Sequence, residues 1–144
     1  MSRSGYADDD DGELGLWRGA VQSAINGKRG QSALRELLAE LDAMPEKALA
    51  AESLVTADGE FCTLGVLGAH RGIELKSIDP EDWDAVAKAF GLATAMVREI
   101  VYENDECGRT GEYLPGGKWV CSPETCEERW QRMRKWVDEN IKSD

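Results

Sequence analysis

The chain has 144 residues, of which 42% are hydrophobic and 31% are charged, and its formal net charge is −11. This length and balance are typical of one globular domain with a sizeable core, and they exclude a wholly disordered chain. No apolar run approaches the roughly 18 residues of a membrane span, and the first residues lack the apolar segment of a secretory signal. We therefore expect a cytosolic protein without a membrane-spanning segment.

The negative charge is concentrated in the middle of the chain. Residues 51–106 hold twelve acids against four bases, a net charge of −8, whereas residues 13–50 hold five of each. A surface of this sign repels the phosphate backbone of nucleic acids. It suits a basic protein partner, or it serves solubility alone.

Residues 1–12 are polar and include the run Asp8-Asp9-Asp10-Asp11. The composition predicts a disordered acidic tail, followed by a single helical domain over residues 13–144. A calcium loop of the EF-hand type needs glycine at its sixth position and glutamate at its twelfth. Counted from Asp8, Gly12 falls at the fifth position and no glutamate follows at the twelfth, so no calcium site is predicted.

Residues 13–44 read as two amphipathic helices joined by the turn Gly27-Lys28-Arg29-Gly30. The two apolar stripes recur every three or four residues and consist of Leu14, Trp17, Val21, Ala24 and Ile25, then Leu34, Leu37, Leu38, Leu41 and Met44. A turn this short predicts antiparallel packing of the helices. Lys28 and Arg29 between two glycines are also a candidate anion-binding turn. The alternative is a helix C-cap at Gly27 followed by a solvated turn.

Two interpretations are open for residues 60–72. Asp58-Gly59 is typical of a hairpin turn between the apolar pair at 54–55 and Phe61. Alternatively, Asp58 caps a helix with Phe61, Leu64 and Leu67 inward, and Gly72 ends it. We favour the helix, and we expect His70, the only histidine, to be a surface residue near its C-terminus.

Asp79-Pro80-Glu81-Asp82 predicts a helix start, with Asp79 as the cap and Gly91 as the end of the helix. A second helix follows over residues 94–104, with Met96, Val97, Ile100 and Val101 inward. The spacing resembles a helix-turn-helix, so the alternative function is a DNA-binding regulator that uses residues 83–103. A DNA-reading helix should offer basic and amide side chains. Residues 93–106 offer one arginine against four acids, so nucleic acid is not the expected partner.

The remainder predicts a short β-hairpin near residues 112–120, around Pro115-Gly116-Gly117. Ser122-Pro123 then caps a last helix that runs to about Lys142. This helix is expected to bury Cys126, Trp130, Met133, Val137 and Ile141. The predicted fold class is therefore mainly α: a compact single-domain bundle of five or six helices, with one short hairpin.

The cysteines and the histidine do not form a recognisable site. Cys62, Cys107, Cys121 and Cys126 are irregularly spaced, without a Cys-x-x-Cys pair or a second histidine, so no zinc site is predicted. Cys107 and Cys121 flank the hairpin, and whether they are free, bridged or share a metal stays open. No nucleophile elbow, P-loop or dinucleotide-binding signature occurs. We therefore expect a non-enzymatic protein without metal or cofactor.

Several segments together carry a resemblance to known proteins: Trp17-Arg18-Gly19-Ala20-Val21, residues 27–31, Leu34-Arg35-Glu36-Leu37-Leu38, residues 41–47, Phe61-Cys62-Thr63-Leu64-Gly65, residues 97–106 and Glu128-Arg129-Trp130. In these segments the chain resembles a family of small uncharacterised proteins of phages and prophages of Gram-negative bacteria. The acidic tail and the insert from Cys107 to Cys121 depart from the family pattern. The resemblance implies a bacterial cytosolic setting during infection or lysogeny. No activity is attached to the family, so no functional residue is carried over.

The sequence therefore predicts a non-enzymatic acidic protein that binds a host or phage protein. One specific form is an anti-defence inhibitor that occupies a nucleic-acid site as a DNA mimic, because clustered carboxylates can imitate phosphate charge. The predicted partner-binding acidic surface consists of Glu81, Asp82, Glu99, Glu103, Asp105 and Glu106. The partner is expected to be basic, and the sequence does not give the oligomeric state.

Overall fold

Helices make up most of the computed structural model, which describes residues 14–106, 110–122 and 124–142. The α-helices within these residues are α1 (Leu14–Asn26), α2 (Lys28–Ala43), α3 (Thr63–His70), α4 (Trp83–Phe90), α5 (Thr94–Glu106) and α6 (Cys126–Asn140). Leu75–Ser77 form one turn of 3₁₀ helix. Strands β1 (Thr110–Tyr113) and β2 (Trp119–Ser122) pair as an antiparallel hairpin, with Tyr113 opposite Trp119. The predicted mainly helical fold and its short hairpin are confirmed, whereas the predicted tail at 1–12 lies outside the described residues.

One buried apolar cluster draws side chains from all six of these helices. Its largest members with almost no exposed surface are Val21, Leu34, Leu37, Leu41, Leu49, Leu64, Leu67, Val86, Met96, Val97, Ile100 and Met133. The inward positions predicted for α5 are confirmed, and so are Met133 and Val137 in α6. Trp130 and Ile141 pack against the cluster and are only partly buried. Within the described residues, no helix is long and apolar enough to cross a bilayer.

The link between α1 and α2 is a single residue, Gly27. The predicted four-residue turn is therefore wrong in extent, because residues 28–30 already form the first turn of α2. Gly30 lies against the end of α1, where a Cβ atom would collide with the carbonyl oxygen of Ala24. A glycine is needed at this position because the two backbones approach each other closely.

Both interpretations of residues 54–72 describe part of the structure. Val55 and Phe61 form an isolated antiparallel bridge, and Gly59 takes a left-handed conformation in the turn between them. The favoured helix follows as α3, and the Cys62 thiol caps it by accepting a hydrogen bond from the amide of Gly65 at 3.4 Å. The prediction that Asp58 caps this helix is wrong, because Asp58 lies in the turn between Val55 and Phe61.

Two other helix starts differ from prediction by a few residues. Asp82, rather than Asp79, caps α4 by accepting a hydrogen bond from the amide of Ala85. Thr125, rather than Ser122-Pro123, caps α6 in a reciprocal capping box with Glu128. In each case the residue that directly precedes the helix caps it, rather than the predicted residue three positions earlier.

Two buried amide side chains connect distant parts of the chain. The side-chain nitrogen of Gln31 donates to the carbonyl oxygens of Ile25 and Asn140 at 2.9 Å each, and its oxygen accepts from the amide of Lys142 at 2.8 Å. Gln31 thus attaches the end of α6 to the junction of α1 and α2. The second amide, Asn104, is 1% exposed and connects α5 to the start of α3.

Candidate functional site

Glu99, one of the predicted partner-binding acids, lies inside the protein with 5% of its surface exposed. Both of its carboxylate oxygens accept hydrogen bonds from the guanidinium of Arg18, and one of these bonds is 3.0 Å long. This ion pair joins α5 to α1 and largely neutralises the Glu99 charge. Glu99 therefore does not contribute an open carboxylate to the predicted acidic surface.

The other predicted acids whose side chains are described form two groups. Glu81 and Asp82 are exposed at the start of α4. Glu103 and Asp105 are half-buried at the end of α5, where Asp105 accepts hydrogen bonds from the amide of Glu52 and the side chain of Asn104. The Glu103 carboxylate lies 4.0 Å from the guanidinium of Arg132. The side chain of Glu106 lies outside the described residues.

Helices α4 and α5 form the helical corner that the spacing predicts, with Gly91 left-handed at the turn. The described side chains from Leu92 to Asp105 are all buried or half-buried. A DNA-recognition helix must lay an open face in the major groove. Arg98, the one basic side chain of α5, is 9% exposed and stacks on Trp83, 4.2 Å from the ring centroid. The described side chains of α5, up to Asp105, thus present no such face.

Lys28 and Arg29, the predicted anion-binding turn, are exposed in the first turn of α2. They line a small pocket of about 240 Å³ together with Ser32 and Arg71. Arg71 is already engaged there, since it donates to the carbonyl oxygen of Phe90 and to the Glu36 carboxylate. The structure therefore brings a third cation beside the two predicted ones, and anion binding stays a prediction.

A groove of about 680 Å³ opens between the end of α2, the turn at residues 58–61, α3 and the start of α6. Ala43, Met44, Ala48, Phe61, Val66 and Ala69 supply its apolar wall. Met44 and Phe61 are partly buried against the core, and Val66 is a member of it. The wall is therefore packed against the core on one side and faces the groove on the other.

Five carboxylates line the same groove: Glu40, Glu46, Asp58, Glu60 and Glu127. No lysine or arginine is among the described residues that line it. Lys47 lies between two lining residues in sequence, but its ammonium donates to the carbonyl oxygens of Asp42 and Met44 and lies over the ring of Trp130. Among its described lining residues, the groove thus combines an apolar wall with five acidic side chains and no lysine or arginine.

His70 stands at the α3 side of the groove, between two glutamates. Its Nδ1 atom lies 2.6 Å from the carboxylate of Glu40, and its Nε2 atom lies 3.6 Å from that of Glu36. Glu36 also accepts two hydrogen bonds from Arg71, at 3.0 and 2.7 Å. Those hydrogen bonds, together with the electrostatic interactions with Arg71 and His70, hold the pKa of Glu36 below its usual range, although burial acts in the opposite direction. The side chains of Glu36, Glu40, His70 and Arg71 thus form one connected polar network at this end of the groove.

The groove also contains a thiol, because Cys126 is the first residue of α6. Its sulfur lies 4.0 Å from the guanidinium of Arg129. Both ring nitrogens of His70 face carboxylates, so this imidazole is not directed at the thiol. In the parts of the chain that the structure describes, no three His, Cys, Asp or Glu side chains are grouped to hold a metal ion. The predicted pair Cys107 and Cys121 has no described side chains.

Comparisons with protein-family models, with curated proteins and with solved structures find no match to this chain. The resemblance to phage and prophage proteins stays a prediction. The candidate site therefore rests on its own geometry.

Sequence reasoning missed the groove because four separate segments build it. The negative charge of residues 51–106 directs attention to α5, where much of that charge proves to be engaged internally. The available signals were the Met44-Pro45-Glu46 step after α2 and the acidic turn at Asp58-Gly59-Glu60. Neither signal indicates that the two segments lie side by side.

Proposed function

We propose that this chain is a non-enzymatic binding protein whose partner is a basic protein, and that the groove between α2, α3 and α6 is the point of contact. The observation that carries the proposal is the composition of the groove: five carboxylates beside an apolar wall, with no lysine or arginine among its described lining residues. Complementary charge of this kind steers association and selects partners.

In this proposal the chain acts in the bacterial cytosol as a phage-type inhibitor of a host or phage protein. The partner surface that it covers is one that otherwise binds nucleic acid. The net charge of −11 supports this form, because exposed carboxylates compete with phosphates for the same cations. DNA binding through α4 and α5 is the weaker alternative, since the described side chains at 92–105 include none that is exposed.

The test is affinity capture from an infected bacterial lysate, with mass-spectrometric identification of the captured proteins. Three baits are compared: the natural chain, a groove variant and a surface control. The groove variant carries Glu46→Lys, Glu60→Lys and Glu127→Lys. The control carries Glu52→Lys, Glu74→Lys and Glu139→Lys, which are exposed acids outside both the groove and the predicted acidic surface. Both variants change the net charge by the same amount.

We expect basic proteins to be captured by the natural chain and by the control, and to be lost with the groove variant. Equal loss with both variants would show that bulk charge alone is responsible, and it would overturn the groove as the contact. Capture that survives both variants, or capture of acidic proteins, would overturn the proposal as a whole.

A further inference from the structure

We propose that the groove binds a short basic segment of the partner in which one apolar side chain stands between two lysines or arginines. This inference rests on the proposed function, because it names the part of the partner that the groove accepts. It follows from the size of the groove, from its apolar wall and from the state of its carboxylates.

The apolar wall supplies a place for one anchoring side chain. Val66 is 6% exposed, and Met44 and Phe61 are half-buried, so each has one side packed on the core and some surface left toward the groove. An aliphatic side chain inserted here would remove this remaining surface and its own from water. A wholly polar basic segment would leave that surface exposed and gain nothing from the wall.

The carboxylates supply places for two cations. Glu46, Asp58, Glu60 and Glu127 are exposed and, within the described residues, make no ion pair. Glu40 differs because it already contacts His70. A lysine or arginine can therefore reach the four outer carboxylates without displacing an existing partner. Basic residues on both sides of the anchor are favoured because Asp58 and Glu60 lie on the turn before α3, whereas Glu127 lies on α6.

The size of the groove favours a short segment over a folded surface. Its volume of about 680 Å³ falls within the roughly 300–1,000 Å³ of sites that enclose small ligands. A contact between two folded proteins instead buries about 800 Å² of accessible surface on each partner, over a much flatter area. A second copy of this chain is a poor occupant because it too carries −11, and residues 1–12 hold four acids and one base.

The test measures fluorescence anisotropy of labelled Gly/Ser peptides with the central sequence Lys-Leu-Lys, and with Lys-Ser-Lys, Gln-Leu-Gln and Glu-Leu-Glu as comparisons. We expect the Lys-Leu-Lys peptide to bind, loss of the leucine to weaken it about tenfold or more, and loss of both lysines to weaken it severalfold. The Glu-Leu-Glu peptide should not bind. The double variant Ala43→Phe with Ala69→Phe fills the groove from two exposed helix positions and should abolish binding. Ala89→Phe, at an exposed position of α4 outside the groove, should leave binding unchanged.

Circular dichroism of each variant checks that it is folded. In the natural chain, NMR amide shifts on adding the Lys-Leu-Lys peptide should centre on Ala43, Gly59 and Ala69. Equal binding of the leucine and serine peptides, or shifts elsewhere, would overturn the anchored segment. The proposed function would still stand if lysate capture depended on the groove charges. Self-association of the natural chain that the filled variant loses would identify a second copy as the occupant, and it would overturn the inference.

Discussion

The side chain of Asn104 makes four hydrogen bonds at the centre of the protein, and its replacement by alanine should be strongly destabilising. Its oxygen accepts from the amide and the hydroxyl of Thr63, at 3.1 and 2.8 Å. Its nitrogen donates to the carbonyl oxygen of Ala50 at 3.0 Å and to the Asp105 carboxylate at 2.8 Å. Asn104 and Thr63 are 1% and 0% exposed, so water cannot replace these bonds.

The expected loss of stability follows from the buried polar groups that Asn104→Ala leaves without their hydrogen-bond partner. The amide and hydroxyl of Thr63 and the carbonyl of Ala50 would each stay buried without this partner, at a cost of about 1–3 kcal/mol for a fully orphaned group. Part of that cost is relieved by local adjustment. We therefore expect the free energy of unfolding to fall by about 3 kcal/mol, a value reached mainly when a buried polar network is broken.

Urea unfolding followed by circular dichroism measures this change, with Asn26→Ala at the exposed end of α1 as the matched control. The control should change the free energy of unfolding by less than about 0.5 kcal/mol. Thr63→Val removes the hydroxyl from the other side, and the double variant should lose less than the sum of the two single losses. A loss below about 1 kcal/mol for Asn104→Ala, or strict additivity, would refute the role assigned to this network.

Three further predictions concern packing, capping and acid sensitivity. Gly30→Ala should lower the free energy of unfolding by about 1–3 kcal/mol in urea unfolding, because the new Cβ collides with the Ala24 carbonyl; an unchanged midpoint would contradict the close approach of the backbones. Thr125→Ala should cost about 1 kcal/mol in the same assay by removing the cap of α6, and Thr125→Ser should restore most of it. Hydrogen bonds from Arg71 depress the folded-state pKa of Glu36, so its contribution to stability is present above its ordinary pKa of 4.5 and is lost as pH falls. Glu36→Gln should therefore be destabilising at neutral pH, and its difference from the natural chain should shrink below about pH 4.5; a difference independent of pH would contradict this assignment.

The helices could be predicted from the sequence because each carries a stripe of apolar residues at helical spacing. The interior of α5 is an example, since Met96, Val97, Ile100 and Val101 follow that period and are buried. Exact helix starts were harder to predict, because Asp79 and Asp82 have the same capping chemistry and lie only three residues apart. The 54–61 turn shows the same limit, because a hairpin signal and a helix signal follow each other within a few residues.

The charged residues were the least predictable part of the fold. Arg18 and Glu99 are 81 positions apart, and no local pattern pairs them. Glu99 was therefore assigned to the surface, although its carboxylate is buried against α1. No periodic pattern in the sequence marks Asn104 as a buried residue. Its role depends on contact with Thr63, which lies in α3, whereas Asn104 lies in α5. The groove was missed for the same reason, because its wall and its carboxylates come together only when α2, α3 and α6 have packed.

The contacts of Gln31 have a consequence for the order in which the chain folds. During translation α2 leaves the ribosome long before α6, the last described helix to be made. Until Asn140 and Lys142 arrive, the amide group of Gln31 lacks two of its three hydrogen-bond partners. These contacts span more than a hundred positions, and such long-range closures form late because much chain entropy must be lost first. The hydrogen bonds of Gln31 can therefore be completed only after the C-terminal end of α6 has been made.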